Sequence, residues 1–458
     1  MSRPITSSPV SGTQRLFPPK ASRVLDTDVG AVIGALTLVV VGLWARHGAF
    51  ADLSGTSTKM FTSLASLTGL FASEAGLLGL VLVTRTPQLE RRYGLDRLFN
   101  WHRLLGEAMA LFLVAHIITS VEAWANPGGL VNSIKDLTGR EPYMALTAVG
   151  TVMVLLVTVT SLKLVRQRFT YETWYFIHLL AYVGLAFSFS HQIVLGTDFM
   201  NDSLARWFWI SIHVGVALWI TWGRWGTLVR SVIHPLRVAS VQPEANGVVS
   251  LTLTGSNLRG HRAASGQFYY LRDLSPGRWW KNNPFSLSSE PTTAGLRFTI
   301  KDRGDSSRAF TRIKPGARVA IEGPYGVCTP DLVGNEKVLL VAGGVGIGPI
   351  VSFLEQLHPN NEPVVLYRAH SQAEVAHAEE LDTLVAERGG RLHVLVGARH
   401  TLKVADPFAA DVMLKAIPDL ASRVVVVAGP ESMIKAVQHG ARAAGVPSER
   451  IHAERAWW

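Results

Sequence analysis

The hydrophobic and polar positions divide the chain of 458 residues into an apolar first half and a mixed second half. After a polar start, six apolar stretches cover 29–49, 61–84, 102–124, 142–164, 173–195 and 206–229. Each is close to the roughly 20 helical residues that cross a bilayer. The fourth and fifth stretches are the clearest, because 142–162 and 173–197 contain no Asp, Glu, Lys or Arg. The pattern predicts an all-α six-helix transmembrane bundle.

The pattern changes after residue 230. From 236 to 330, short alternating runs (VVSLTLT, FYYLRDL, LRFTIKD, ARVAIEG) are separated by turn signals such as Asn246-Gly247, which is typical of an antiparallel β-barrel. From 335 onward, strand-like runs (KVLLVA, VVLYR, LHVLV, VVVVAGP) alternate with helical ones, which predicts an α/β doubly wound parallel sheet. We therefore expect four parts: a tail (1–27), a transmembrane domain (28–230), a barrel domain (236–330) and a nucleotide-type domain (335–458).

Charge and cysteine content exclude several classes of protein. Only 17% of residues are charged, where a soluble protein has roughly 25%. The net charge is +10, but 19 of the 44 basic residues lie in the apolar half, mostly between its hydrophobic stretches. That distribution indicates a membrane protein and no nucleic-acid partner. Because Cys328 is the one cysteine, cysteine-ligated iron-sulfur clusters, c-type haem and an internal disulfide are excluded.

The basic residues also predict the orientation of the bundle. The tail and the second-to-third and fourth-to-fifth connections hold twelve Lys and Arg, and the opposite loops hold five. Lys and Arg are retained on the cytoplasmic side. The tail is polar, contains Pro18 and Pro19, and lacks the pattern of a signal peptide. We expect an integral protein of the plasma or inner membrane with both termini in the cytoplasm.

Four histidines lie inside two of the apolar stretches: His102 and His116 in the third, His178 and His191 in the fifth. An imidazole in hydrocarbon is costly unless it is satisfied, so each is a functional candidate. A single one, such as His213 in the sixth stretch, is more often a hydrogen-bonded core histidine. Four on two helices that run in the same direction instead favour two b-type haems held by axial histidines.

Helix geometry supports this interpretation for the two histidines of the third stretch. It does not readily explain the two histidines of the fifth stretch. At about 100° and 1.5 Å per residue, the step from His102 to His116 returns within about 40° of the same face and rises roughly 21 Å. The step from His178 to His191 ends about 140° away in an ideal helix. That segment must be overwound, bent at Gly184, or ended before His191.

Two segments of the second half suggest cofactor chemistry. In RWWKNNPFSLSSEP followed by IKDRGDSSR, Ser286 is a candidate donor to a flavin N5, and Lys301, Gly304 and Ser307 are candidates to hold phosphate. In VLLVAGGVGIGPIVSF, a Gly-rich turn lies between a strand and a helix, where a pyrophosphate binds favourably. This turn comprises Gly343, Gly344, Gly346, Gly348 and Pro349.

Two further positions lie at the ends of later strands. Gly429-Pro430 supplies a second turn at the carboxyl edge, where such sheets bind ligands. Arg368 ends the second strand of this domain. It is equally well interpreted as a partner for the 2′-phosphate of NADPH or as a solvated strand-end charge.

With these motifs, the chain resembles the ferric reductase and NADPH oxidase superfamily over nearly its whole length beyond the tail. The resemblance implies axial histidines at His102, His116, His178 and His191, and the shorter second spacing also occurs in that family. The second half is similar to the ferredoxin-NADP reductase module, on Pro284-Phe285-Ser286, the Lys301 to Ser307 segment and the Gly-rich turn. Family members stack a C-terminal aromatic on the flavin, for which Trp458 is the candidate. Asn283 and Ala428 depart from the family, which usually has His and Cys there.

The resemblance implies an enzyme that passes electrons from cytosolic NADPH (or NADH) through FAD and two b-type haems to a one-electron acceptor outside. Dioxygen and a ferric chelate both remain open as acceptors. Two alternatives also remain. In one, the helices anchor a haem-free flavoreductase and the histidines only pack the bundle. In the other, the protein supplies electrons to a periplasmic partner protein.

Overall fold

The computed structural model describes residues 14–16, 26–125, 127–139, 142–200, 202–256, 258, 261–397 and 406–455. The chain forms two compact units. Ser22–Trp225 is the helical unit, and Met1–Ala21 with Gly226–Trp458 is the sheet unit.

The helical unit consists of long helices joined by short ones. These are α1 (Asp26–Arg46), α2 (Ala49–Leu53), α3 (Ser57–Leu82), α4 (Pro87–Ala123), α5 (Leu130–Gly139), α6 (Pro142–Ser161), α7 (Lys163–Arg166), α8 (Tyr171–Leu195), α9 (Thr197–Met200) and α10 (Ser203–Ile220). A π-helical segment, Thr221–Gly226, and α11 (Thr227–Ile233) continue α10. Within the described residues, six helices are long and apolar enough to cross a membrane, namely α1, α3, α4, α6, α8 and α10 with its continuation. The predicted number of spans is confirmed.

The third span begins earlier than the hydropathy pattern predicts. α4 starts at Pro87, and two helical segments meet at Gly94, whose φ of 71° is not helical. Residues 88–101 are too polar to be recognised as part of an apolar stretch, although α4 runs through them. Hydropathy therefore detects only the apolar second segment of α4.

The spans pack against each other through small residues and expose large ones. α3 lies along α4, and α6 lies along α8. A Cβ on Gly150 would lie 2.6 Å from the Gly184 carbonyl oxygen, so α6 and α8 touch backbone to backbone. Leu38, Leu111 and Val152 are 74%, 69% and 65% exposed. Exposed apolar side chains of this size are suited to contact with lipid acyl chains rather than with water.

The first part of the sheet unit is a six-stranded antiparallel sheet. Its strands are β1 (Leu236–Ala245), β2 (Val248–Thr254), β3 (Phe268–Asp273), β4 (Asn283–Ser286), β5 (Leu296–Lys301) and β6 (Arg318–Tyr325), in the order β4-β3-β6-β1-β2-β5. Gly247, with φ of 68°, makes the β1–β2 turn. The predicted antiparallel sheet is confirmed, but not as a closed barrel. An isolated bridge between Leu287 and Phe298 joins the two edges, because β4 is too short for a continuous ladder.

The second part is the predicted doubly wound parallel sheet. Its strands are β7 (Val338–Gly343), β8 (Val364–Ala369), β9 (Arg391–Val396), β10 (Val424–Gly429) and β11 (Ile451–Arg455), in the order β11-β10-β7-β8-β9. The helices are α12 (Asp305–Thr311), which precedes this sheet, and α13 (Ile347–Gln356), α14 (Ala378–Glu387), α15 (Ala410–Ala416) and α16 (Glu431–Ala443). Leu340 and Leu339 lie in separate hydrophobic clusters, one on each face of the sheet.

One segment of the tail belongs to the sheet unit. Leu16 is 5% exposed and lies in the core of the antiparallel sheet. Its N–H donates to the Pro291 carbonyl at 3.0 Å, and Arg15 pairs with Glu290 at 2.9 Å. The sequence gives no clear signal for this contact, since Leu16 and Phe17 are only a short apolar pair in a polar stretch.

Candidate functional site

The four intramembrane histidines form two facing pairs. The ring centroids of His102 on α4 and His178 on α8 are 6.0 Å apart. Those of His116 and His191, on the same two helices, are 6.1 Å apart. Because 14 residues separate the two histidines of α4, the pairs lie roughly 21 Å apart along that helix.

Helix α3 orients both imidazoles of α4 through backbone carbonyls. The Nδ1 of His102 lies 3.0 Å from the Gly79 oxygen, and the Nδ1 of His116 lies 2.8 Å from the Ala65 oxygen. A Cβ on Gly69 would lie only 2.9 Å from the His116 Nδ1, so this approach requires glycine. A carbonyl accepts a hydrogen bond, so each Nδ1 carries the proton and each Nε2 keeps its lone pair for a metal ion.

The imidazoles of α8 have different surroundings. The Nδ1 of His178 lies 3.3 Å from the Ser161 hydroxyl at the end of α6. The Trp174 ring stacks on that imidazole, with centroids 4.9 Å apart and an interplanar angle of 27°. The Nδ1 of His191 is buried without a hydrogen bond.

The histidine pairs fit a metalloporphyrin. An imidazole nitrogen lies about 2.0–2.1 Å from a metal ion that it binds, so two imidazoles on opposite sides of one ion have centroids roughly 6 Å apart. In the described part of the chain, no three His, Cys, Asp or Glu side chains are grouped to bind a bare metal ion. Two nitrogens are what a haem iron needs axially, because the porphyrin supplies the other four.

The shorter spacing on α8 does not end the helix. α8 is helical from Tyr171 to Leu195, so His191 remains within it. The two pairs meet at different interplanar angles, 79° for His102–His178 and 36° for His116–His191. An end of the helix before His191 is thus excluded, and both imidazoles of α8 still face those of α4.

The segment around Ser286 forms the edge strand β4. Phe285 is buried against Phe310, with ring centroids 5.2 Å apart, whereas Asn283, Pro284 and Ser286 are half-buried. β4 pairs with β3 so that Ser286 lies opposite Phe268. The apolar Phe285 anchors the strand and leaves the polar positions on either side of it at the surface.

The predicted phosphate residues already have partners within the protein. The Nζ of Lys301 lies 2.6 Å from Glu374. The Ser307 hydroxyl accepts from the N–H of Arg303 at 2.8 Å and donates to the Gly304 carbonyl at 3.1 Å. These contacts shape the loop between β5 and α12.

The Gly-rich turn meets the second glycine turn at the carboxyl edge of the sheet. A Cβ on Gly429 would lie 3.2 Å from the Gly343 Cα, and one on Gly346 would lie 2.3 Å from the Ala428 oxygen. Gly344 has φ of 54° and open space above it. Gly348 contacts Ser288 and Thr299 of the antiparallel sheet, and Pro349 is buried in α13. The turn therefore lies where the two sheets adjoin.

Arg368 is half-buried and bonded to the backbone. Its guanidinium donates to the carbonyls of Ala369 at 2.5 Å and Leu395 at 3.0 Å, and also to that of Gly397. The side chain ties the ends of β8 and β9 together at the same edge of the sheet.

A buried polar network between the two sheets was missed by the sequence reasoning. His377 contacts the Thr299 hydroxyl at 2.8 Å and Glu380 at 2.9 Å. Arg297 pairs with Glu380 at 2.7 Å and with Glu355 at 3.8 Å. Burial raises the pKa of Glu355. Burial also raises the pKa of Glu380, but hydrogen bonds from His377 and Arg297 outweigh it and hold that pKa below its usual value.

Trp458 and its neighbour Trp457 lie outside the described residues. The proposed stacking of Trp458 on a flavin remains a prediction from the sequence.

Two family models match the chain. Residues 61–189 match the "Ferric reductase like transmembrane component", and residues 340–439 match the "Oxidoreductase NAD-binding domain". The first match contains His102, His116 and His178 and ends two residues before His191, and the second contains both glycine turns. The chain is thus similar to ferric reductases in its membrane part and to NAD-dependent oxidoreductases in its parallel-sheet part.

Several curated proteins are similar to parts of the chain. The ferredoxin reductase component of 3-ketosteroid-9-alpha-monooxygenase from Mycolicibacterium smegmatis is 30% identical over 49% of this chain and 65% of its own length. Ferric/cupric reductase transmembrane component 2 of Saccharomyces cerevisiae is 28% identical over 40% of this chain and 25% of its own. Ferric reduction oxidase 7 of Arabidopsis thaliana is 26% identical over 64% of this chain and 40% of its own. The chain thus spans less than two thirds of the length of each.

Proposed function

We propose a function from the premise that this chain belongs to the ferric reductase and NADPH oxidase superfamily, because it joins a ferric reductase like transmembrane component to an oxidoreductase NAD-binding domain. The protein is an integral-membrane oxidoreductase that moves electrons from NAD(P)H, through FAD and two b-type haems, to a one-electron acceptor on the other side. The observation that carries this proposal is the arrangement of two histidine pairs at ligand separation on α4 and α8.

Each histidine has a defined role. His102 and His178 hold the inner haem, and His116 and His191 hold the outer one. The α3 carbonyls keep the α4 imidazoles in the tautomer that binds iron through Nε2. When bound, the flavin converts a two-electron hydride into single electrons, which haem iron carries one at a time.

The sheet unit binds the nucleotides. The segment Asn283–Ser286 would hold the flavin, with Ser286 as the candidate donor to its N5, and Trp458 is the candidate aromatic cover for its ring. Lys301, Gly304 and Ser307 approach the flavin phosphates. The turn from Gly343 to Pro349, together with Gly429-Pro430, binds the pyrophosphate of NAD(P)H, because glycines allow close backbone approach. Arg368 lies at the same edge, where its guanidinium bonds to backbone carbonyls, so NADPH and NADH are both candidate donors.

The distribution of basic residues supports an orientation with both termini and the whole sheet unit in the cytoplasm. Electrons therefore leave on the extracytoplasmic side. Dioxygen and a ferric chelate are both suitable acceptors there, and a periplasmic electron-accepting protein is the third.

An absorption spectrum of the purified protein tests the proposal. We expect b-type bands after dithionite, and reduction of both flavin and haem after NADPH. Absence of b-type bands would establish the haem-free anchored flavoreductase instead. Flavin bleaching without haem reduction would disprove the transfer path.

An acceptor survey then separates the substrates. Dye reduction that superoxide dismutase suppresses identifies dioxygen, and capture of ferrous iron identifies a ferric chelate. Activity that requires an added periplasmic protein identifies an electron-supply role.

A further inference from the structure

The four imidazoles differ in the hydrogen bonds of their Nδ1 atoms. His102 and His116 bond to carbonyls of α3, and His178 bonds to the Ser161 hydroxyl. The Nδ1 of His191 has no hydrogen bond of acceptable geometry. The inner pair therefore has two Nδ1 contacts and the outer pair has one.

We propose that Ser161 is a positioning residue that lowers the reduction potential of the haem held by His102 and His178. This inference rests on the proposed function. A hydrogen bond from the Nδ1–H of an axial imidazole makes that imidazole a stronger electron donor, which stabilises ferric over ferrous iron. Ser161 provides this control for the inner haem only.

The Ser161 hydroxyl is held in place from two sides. Ser161 is the last residue of α6, and the backbone contact between Gly150 and Gly184 fixes α6 against α8. The indole N–H of Trp174 lies 3.4 Å from the Ser161 oxygen. The oxygen thus accepts from Trp174 and from His178, while the stacked indole limits rotation of the His178 ring.

The corresponding position beside His191 offers no such acceptor. The nearby Ser188 carbonyl lies on the same helix, and no well-formed bond to it exists. The Ser190 hydroxyl donates to the Phe187 carbonyl within α8 instead. Ser190 is therefore a matched control for Ser161, since it is a serine beside a haem histidine that makes no contact with an imidazole nitrogen.

The test is a potentiometric titration of the purified full-length protein, with the two haem components resolved by absorbance. We expect Ser161→Ala to raise the potential of one component and leave the other unchanged. We expect the reduction potential to rise by up to about 59 mV, which for one electron corresponds to a loss of up to about tenfold in the preference for ferric over ferrous iron. Ser161→Thr, which keeps the hydroxyl, and Ser190→Ala should both titrate like the wild type.

A second set of variants tests whether the component whose potential shifts is the inner haem. In His191→Ala, which keeps the inner pair, Ser161→Ala should shift the single remaining component by the same amount. If Ser161→Ala does not bind haem, Ser161→Cys replaces it, because sulfur is a weaker acceptor and should move the potential in the same direction.

The outcomes separate the two proposals. A wild-type protein without b-type bands contradicts the proposed function. Bound haems whose potentials do not respond to Ser161→Ala, or that shift together, overturn the role of Ser161 and leave the proposed function intact.

Discussion

Substitution of Gly69 by alanine tests how the outer histidine pair is held. A Cβ at this position would lie 2.9 Å from the Nδ1 of His116, whereas ordinary contact begins at 3.4 Å. The ring must therefore retreat by about 0.5 Å. Its hydrogen bond to Ala65, now 2.8 Å long, would stretch to about 3.3 Å, which weakens it.

The expected cost follows from that displacement. Loss of one hydrogen bond costs about 0.5–1.5 kcal/mol, and changes to the groups that orient metal-bound histidines typically cost 10- to 100-fold in affinity. We expect Gly69→Ala to weaken binding of the outer haem by about 10-fold, with the inner haem unaffected. Transfer of haem to excess apomyoglobin measures this as a fast phase covering half of the bound haem.

Gly106→Ala is the matched control. Gly106 lies on α4 between His102 and His116, and a Cβ there meets no atom within 4 Å. Both substitutions improve helix propensity equally, so a difference between them reports the contact with His116. Equal transfer kinetics in Gly69→Ala and the wild type, with both haems bound, would refute the orienting role of α3.

Three further substitutions test other parts of the molecule. Gly344→Ala places a side chain on a φ of 54° and should raise the KM for NADPH without altering the haem spectrum, as steady-state kinetics will determine. Arg297→Met leaves the half-buried Glu380 without its guanidinium and should destabilise the sheet unit by about 1.5 kcal/mol in chemical denaturation. Because the pKa of Glu380 is depressed, its contribution is present above the usual carboxyl pKa and disappears as the pH falls, so the variant should lose less stability in acid. Gly150→Val forces a side chain onto the Gly184 carbonyl and should lower the thermal stability of the helical unit in detergent, whereas unchanged stability would contradict the close contact.

The sequence predicted the elements whose signal is local and periodic. Six apolar stretches correspond to six long helices, and the runs around Leu340 and Val426 correspond to strands of the parallel sheet. Hydropathy missed the first segment of α4, because a polar helix carries no apolar stretch. The predicted antiparallel sheet is present, but its edges meet only at the Leu287–Phe298 bridge, since closure into a barrel depends on the length of β4 and not on alternation.

The partners of the candidate residues were beyond the reach of the sequence. Arg368 was left open between a phosphate ligand and a solvated charge, whereas it bonds to the carbonyls of Leu395 and Gly397. Ser161 lies 17 residues before His178, and the contact depends on the turn between α6 and α8. A pattern that could have been used is the 14-residue step from Ala65 to Gly79, which matches that from His102 to His116 on the antiparallel neighbour.

The burial of Leu16 has a consequence for biosynthesis. Its acceptor, Pro291, lies 275 residues later in the chain. At about 5–20 residues per second, a ribosome needs about 14 to 55 s to reach that partner, and all six helices are made in the interval. Docking of the N-terminal segment therefore waits until all six membrane helices have been made, and protease resistance at Leu16 would report that a nascent chain has been extended into the antiparallel sheet.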